Sequence, residues 1–222
     1  MVKRPGKLKN FRADVKRWGF LRSLFGRVTL LLQKFAGLDV QWVLVRDLVR
    51  PLAESHLPDG ISVRVVRTEE LLKAAGDPEL DMDSEFVHGA LARGDMAFGA
   101  FDGDSLVCYS WVAFASAPHV DGVWVRFDPP YHYAYNAFTR PSHRGRRILA
   151  AIALYSDRYL GDRGRVARIA CTAIHNFASL AAQKFSGSRR IGLAGYVKWF
   201  GFFIPFRTPA VKRFGFAFKL GR

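Results

Sequence analysis

Only two cysteines occur in the chain, Cys108 and Cys171, and neither sits in a CxxC pair. That excludes a zinc ribbon and a disulfide framework, and it fits two reduced thiols in the apolar interior of a cytoplasmic protein. No apolar run approaches the ~18–20 residues of a membrane-crossing helix. GxGxxG and the Walker loop are both missing, so dinucleotide and P-loop readings fail. Internal repeats and low-complexity stretches are absent as well. Acidic residues are scarce at both ends: three among residues 1–50 and none among 189–222, against 12 and 8 Lys+Arg.

What is present is a 222-residue chain, half hydrophobic, with 19 Phe and a net charge of +15. It is long enough for one domain with its own core, with or without an appendage. The charge is uneven: +9 over 1–50, +8 over 189–222 and −2 between. A nearly neutral body flanked by basic ends points to an anionic surface. The expected division is a basic N-terminal segment over 1–50 and a folded domain over 51–222.

From Val15 to Leu38 apolar residues recur at helical spacing (Trp18, Leu21, Phe25, Val28, Leu32, Phe35) among Lys16, Arg17, Arg22, Arg27 and Lys34. Lys34 cuts the Leu-rich patch too short for a signal peptide. One reading is an interfacial helix on an anionic membrane. The other is a helix packing its apolar face on the domain or on a partner. A Leu/Phe/Trp face suits a phosphate groove poorly, which disfavours nucleic acid. The second basic end, around Tyr196 to Phe206, mixes aromatics with Lys198, a composition shared by cores, membrane interfaces and base-stacking surfaces.

Along the body, Pro51 to Pro58 reads as a linker or turn. Ile61–Val66 alternates like a strand, and Thr68 caps a helix with acids in its first turn. A second helix spans Ser84 to Arg93. Asp102-Gly103-Asp104 marks a hairpin between strands at Met96–Phe101 and Ser105–Phe114. Short strands follow at Val123–Phe127 and Tyr131–Thr139. Then come a helix at Ile148–Leu160, a central strand at Val166–Ile174 and a helix opened by Asn176. Strands at Ile191–Val197 and Arg213–Lys219 close the sheet. This order calls for an α/β fold around a mixed sheet.

The informative stretch runs from Phe138 to Ile152. Here a strand enters a basic, glycine-containing loop (Arg144-Gly145-Arg146-Arg147-Ile148-Leu149) that leads directly into a helix. A helix N-terminus offers unpaired N–H groups and a favourable dipole, and guanidinium groups beside it suit a pyrophosphate. A solvated turn has the same composition.

With its surroundings, this region resembles the GNAT superfamily of acyl-CoA-dependent N-acyltransferases. In that family a V-x-P-like strand end precedes an R-G-x-G-x-G/A loop, and a later helix opens with Asn. Thr139-Arg-Pro141, Arg144–Leu149, Asn176 with Ser179, and Lys184-Phe-Ser-Gly187 running on to Gly192 stand at the matching places. The likeness spans residues 61–200 in element order. It implies a mostly antiparallel central sheet flanked by helices. It also implies an acyl-CoA donor, acetyl-CoA or longer, held by Phe138, Thr139, Arg144, Gly145, Arg146, Arg147, Ile148, Asn176 and Ser179. The loop departs from the family at Arg147 and Leu149, where small residues are usual. Acyl carrier protein is therefore an alternative donor, and lost activity an alternative outcome. Gln183 stands where the family often has a Tyr acid.

Amine attack on a thioester needs a base, donors to the oxyanion and a proton for the thiolate. Tyr131–Thr139 holds no carboxylate, which leaves His132 as base and Tyr133 or Tyr135 as proton donor. Asp81, Asp83 and Glu85 are candidates for binding the amine. The remaining histidines lack metal-ligand spacing, and no metal is expected. The expected protein is thus an N-acyltransferase, cytoplasmic or peripheral at the inner face of the membrane. It would act on a small or lipid-linked primary amine. The alternatives are a non-catalytic scaffold of the same fold, or an enzyme acting on an RNA-linked amine.

Overall fold

The computed structural model describes residues 11–48, 57–120 and 122–221. The helix expected over Val15–Leu38 is two helices, α1 (Phe11–Trp18) and α2 (Phe20–Ala36). Gly19 separates them, with φ +85° and ψ 161°, a conformation open to glycine alone. After Gly37 comes β1 (Leu38–Asp47), then β2 (Ile61–Val65), α3 (Thr68–Ala75), α4 (Ser84–Ala92), β3 (Met96–Asp102) and β4 (Ser105–Ala113). The chain continues through β5 (Ser116–Pro118), β6 (Val123–Arg126), β7 (His132–Thr139), α5 (Ile148–Gly161), β8 (Ala167–Ala173) and α6 (Phe177–Phe185). It ends with β9 (Arg189–Trp199), β10 (Phe202–Arg207), α7 (Pro209–Lys212) and β11 (Ala217–Leu220).

Eight strands form one sheet in the order β10-β9-β1-β8-β7-β4-β3-β2, and β11-β6-β5 form a smaller one. Every pairing in the large sheet is antiparallel except β7 with β8. One apolar core lies between the sheet and α5, built from Phe98, Val107, Val112, Ile148, Ile152 and Leu160. The other lies on the opposite face, where Leu71, Val87, Tyr109, Trp111, Tyr133 and Phe216 join α3, α4 and the small sheet.

Three expectations are corrected. The boundary at residue 50 assigned β1 to the N-terminal segment, yet β1 is hydrogen-bonded to β8 on one side and β9 on the other. Its first half alternates Leu38, Val40 and Trp42 with Asp39 and Gln41, but it is the polar set that is buried, and only Val43–Val45 forms a covered apolar run, so an apolar face does not mark the strand. The strand near Arg213–Lys219 pairs with β6 in the small sheet and does not close the large one. Thr68 is the first helical residue of α3 and Arg67 its cap. Most of the linker expected at Pro51 to Pro58 lies outside the described residues.

Where β7 and β8 meet, a buried ion cluster ties five elements together. Asp157 of α5, with a side-chain exposure of 0%, lies 3.1 Å from Arg46 Nε of β1 and 3.0 Å from an Arg168 guanidinium nitrogen of β8. Arg168 also donates to the Ser186 hydroxyl at the end of α6, at 3.0 Å, and Arg46 donates to the Ser186 carbonyl. His132 of β7 approaches Asp157 at 3.8 Å. Removing the carboxylate would leave two guanidinium groups buried without a counter-charge. Asp157→Asn is expected to cost about 3–5 kcal/mol, read as a fall in the urea midpoint; a shift under about 1 kcal/mol would show that the cluster is not a structural tie.

Candidate acyl-transfer cleft

β7 and β8 pair only from His132–Ala134 against Arg168–Ala170, and then they part. The cause is local to β7. Asn136 and Ala137 face Ser110 of β4 without ladder partners, the register shifts there, and Asn136 takes φ +43°. Such a bulge bends a strand, and Asn tolerates the left-handed region better than most residues. The two parallel strands diverge into a wedge with α5 and α6 along one side. Its cavity of about 350 Å³ is floored by small side chains, among them Ala134, Ala137, Ala150, Ala153 and Ala182.

On the opposite face a second cavity of about 590 Å³ lies under the α3–α4 connection. Asp77, Glu79, Asp81 and Asp83 line it with Phe86 and Phe138. Asn136 is the residue that lines both cavities. Asp77 and Glu79 are paired with Arg140, and Asp83 caps α4 by accepting from the Phe86 amide at 2.7 Å. Asp81 is exposed to the cavity. Glu85 lies outside it.

The basic loop sits at the mouth of the wedge. Pro141–His143 make one 3-10 turn, Gly145 has φ +80°, and Arg147 caps α5 from the left-handed region at φ +59° and ψ 16°. The glycine of the family's loop is thus replaced by an arginine that keeps a glycine-like conformation. Among the described residues, the amides of 145–149 form no hydrogen bond within the protein. Arg144, Arg146 and Arg147 are exposed around them, while Ile148 is buried and anchors the helix start. Arg144 Nε donates to the Thr139 carbonyl at 3.1 Å, and the Arg147 guanidinium lies 5.1 Å from the Phe185 ring.

On the far wall of the wedge, Asn176 caps α6 through the Ser179 amide at 3.1 Å, and both residues line the cavity. Gln183 lines it too and accepts from Ser188 at 3.2 Å. Phe138 and Thr139, expected at the donor, turn elsewhere. Phe138 stacks on Tyr109 beside the acidic cavity, and the Thr139 hydroxyl meets Cys108 Sγ at 3.0 Å.

His132 does not reach either cavity. It sits in the paired part of β7, fully buried under α5, and burial pushes its pKa down, with Asp157 opposing. A sealed imidazole cannot collect a proton from an incoming amine, so His132 is withdrawn as the base. The two tyrosines point to the other face. Tyr133 OH contacts Cys171 Sγ at 2.9 Å, and Cys171 lines the wedge. Tyr135 lines the wedge as well and donates to Asp95 at 2.6 Å, while Arg93 donates to Tyr135 at 3.1 Å. Burial, followed by the neighbouring Asp95 charge, raises the Tyr135 pKa. Burial also raises that of Asp95.

Asp95, Arg93, Cys171, His119 and Asp39 were not singled out from the sequence as a network. They lie on four separate elements or loops, Arg93 and Asp95 sharing the α4–β3 connection, and no spacing links the four. His119 Nε2 is 3.5 Å from Asp39 Oδ2, with 15% and 3% of the side chains exposed. Burial alone would depress the His119 pKa, but Asp39 and the Cys171 sulfur beside it raise it from 6.5 to about 9.

Neither a family model nor a curated protein matches the sequence. Solved structures do match the fold. A Drosophila protein aligns over 80% of this chain and 58% of its own, with TM-score 0.53 and 15% identity. A GCN5-related N-acetyltransferase from Sphaerobacter thermophilus aligns over 91% of this chain and 69% of its own, with TM-score 0.52 and 11% identity. The chain has the fold of the GCN5-related N-acetyltransferases, a mixed α/β architecture around a mostly antiparallel sheet. It spans less than two thirds of the length of the first of these two structures.

Two predictions follow from this geometry. Arg147→Ala keeps the strained backbone and loses the charge, whereas Arg147→Gly loses both. The glycine variant is expected to be more stable than the alanine variant by about 1 kcal/mol in thermal unfolding, and both should bind CoA more weakly than the parent by a similar factor. The His119–Asp39 pair gives the second. Because the folded pKa of about 9 exceeds the ordinary value of 6.5, its stabilisation is whole below pH 6.5 and is lost as pH rises through 9. Urea midpoints should fall over that window, and the fall should flatten in His119→Gln.

Proposed function

We propose that the protein transfers an acyl group from acyl-CoA to a cationic primary amine. The observation that carries this reading is the meeting of two chemically different cavities at the Asn136 bulge. One opens beside a loop of free amides and arginines, and the other is walled by carboxylates. The CoA pyrophosphate would lie on the amides of 145–149 with Arg144, Arg146 and Arg147 around it. The pantetheine arm would enter the wedge between β7 and β8 past Asn176 and Ser179, bringing the thioester to the bulge. There the backbone of Asn136 and Ala137, released from the ladder, would supply hydrogen bonds to the developing oxyanion.

The amine would approach from the acidic cavity, with Asp81 as its counter-charge. These carboxylates and their water provide a sink for the ammonium proton, the role for which His132 is too deeply buried. Gln183 cannot protonate the leaving thiolate. Tyr135 contributes to the donor cavity, but its hydroxyl is held by Asp95 and Arg93 on the other face of the sheet, so in this scheme water protonates the thiolate. A long-chain donor or a lipid-linked acceptor fits the same arrangement at a membrane surface. Retention of the fold and CoA site without turnover is the second reading, favoured by Gln183 in place of an acid.

Thermal unfolding with CoA, acetyl-CoA and a long-chain acyl-CoA tests the donor. Saturation at ~100 times Kd should add about 2.7 kcal/mol, and Arg144→Ala should abolish the shift. No shift with any thioester would sink the CoA assignment. For catalysis, Asp81→Asn should lower kcat/KM for a diamine about tenfold with donor binding intact. CoA binding without turnover toward any amine would select the scaffold reading.

A further inference from the structure

α2 is built inside out. The side it lays on the protein is small or polar: Ser23 and Thr29 are buried, Gly26 lies against His175, and Gln33 donates to Asp39 at 2.9 Å. Its apolar side chains point outward. Leu21 is 78% exposed and Phe35 73%, with Leu24, Phe25, Val28, Leu31 and Leu32 also exposed. Of the alternatives that the sequence left open, packing of the apolar face on the chain's own domain is thereby removed. An ordinary surface helix does the opposite, and so large an exposed apolar stripe marks a binding face.

A second element extends that face. The Lys198 amide donates to the Gly37 carbonyl at 3.0 Å, tying the end of α2 to the β9–β10 hairpin. The hairpin presents Trp199, Phe200 and Phe202, the latter two 83% and 72% exposed. Near its other end the last residue of α1 and the first turn of α2 meet the start of α6. Trp18 packs on Phe177 at 6.0 Å, and the Arg22 guanidinium lies 5.7 Å from the same ring, next to the cavity-lining Asn176. A helix of 17 residues, about 25 Å long, thus runs from beside the far wall of the donor cleft to an aromatic hairpin tip.

Charge selects the occupant. α2 and the segment from Lys198 to Arg207 contain no acid, and Lys16, Arg17, Arg22, Lys34 and Lys198 are exposed around the apolar side chains. No described helix is long and apolar enough to cross a bilayer. We propose that α2 and the β9–β10 hairpin together form a docking face for an anionic lipid bilayer, which sets the α6 wall of the donor cleft beside the lipid surface. Leu, Phe and Trp enter the acyl boundary while the cations meet phosphate headgroups. The acyl chain of a long-chain acyl-CoA held at the bilayer surface then reaches the wedge from the lipid; this last step rests on the acyltransferase reading.

The test is sedimentation of the full chain with vesicles of phosphatidylcholine alone or mixed with phosphatidylglycerol. Binding is expected to the mixed vesicles, and to survive added salt in part because of the apolar contribution. Leu31→Glu and Phe200→Glu, both at exposed positions, should each weaken it about tenfold or more with unchanged thermal unfolding. No binding, or equal binding by both variants, overturns the docking face. A parent that ignores vesicles but is dimeric in light scattering, with monomeric variants, identifies the face as a self-interface instead. Vesicles should also stimulate turnover of a long-chain donor but not of acetyl-CoA, and Phe200→Glu should remove the stimulation. Docking without stimulation overturns the substrate route. Docking without turnover of any donor refutes the acyltransferase reading and leaves the docking face standing.

Discussion

Asp157 fixes the closed end of the wedge on which everything else depends. Two parallel strands that part after three residue pairs need a firm join where they still touch. Here the join is a carboxylate buried between Arg46, Arg168 and His132, reaching β1, β7, β8 and α5 at once. A buried ion pair is a poor source of net stability but a strict one of geometry, since no member can move without stranding another charge. The bulge at Asn136 then opens the strands above that join. A fixed hinge below and a bend above make a cavity in a sheet that would otherwise be continuous.

The same sheet keeps the two halves of the proposed chemistry apart. Arginines and free amides gather at the α5 loop, and carboxylates gather beneath the α3–α4 connection. The sheet stands between them except at the bulge. An anionic carrier and a cationic acceptor would thereby approach from opposite faces, each to surroundings of complementary charge. The outward apolar stripe of α2 lies on the side of the donor cleft walled by α6.

Much of the architecture was legible. The hairpin at Gly103, the helix capped by Asn176 and the loop before α5 follow from residue types whose effects are local: a turn glycine, a side-chain cap, an N-terminal amide cluster. Three other features were not. β1 escapes notice because the polar members of its alternation, Asp39 and Gln41, are the buried ones and its apolar run is only Val43–Val45. The break at Gly19 depends on one residue's positive φ. His132 has the titration range of a base, and only its place beneath α5 removes it from solvent.

The sequence by itself determined the element order, the basic loop, the asymmetry of charge and the family resemblance, since each depends on neighbours within a few positions along the chain. Only the tertiary structure decided which face of α2 is covered, which titratable groups are sealed, and that Asp95 meets Tyr135 and Asp39 meets His119. Those outcomes depend on burial and on distances between residues dozens of positions apart. Periodicity reports that a helix has two faces; which of them meets the protein is set by what the rest of the chain lays beneath it.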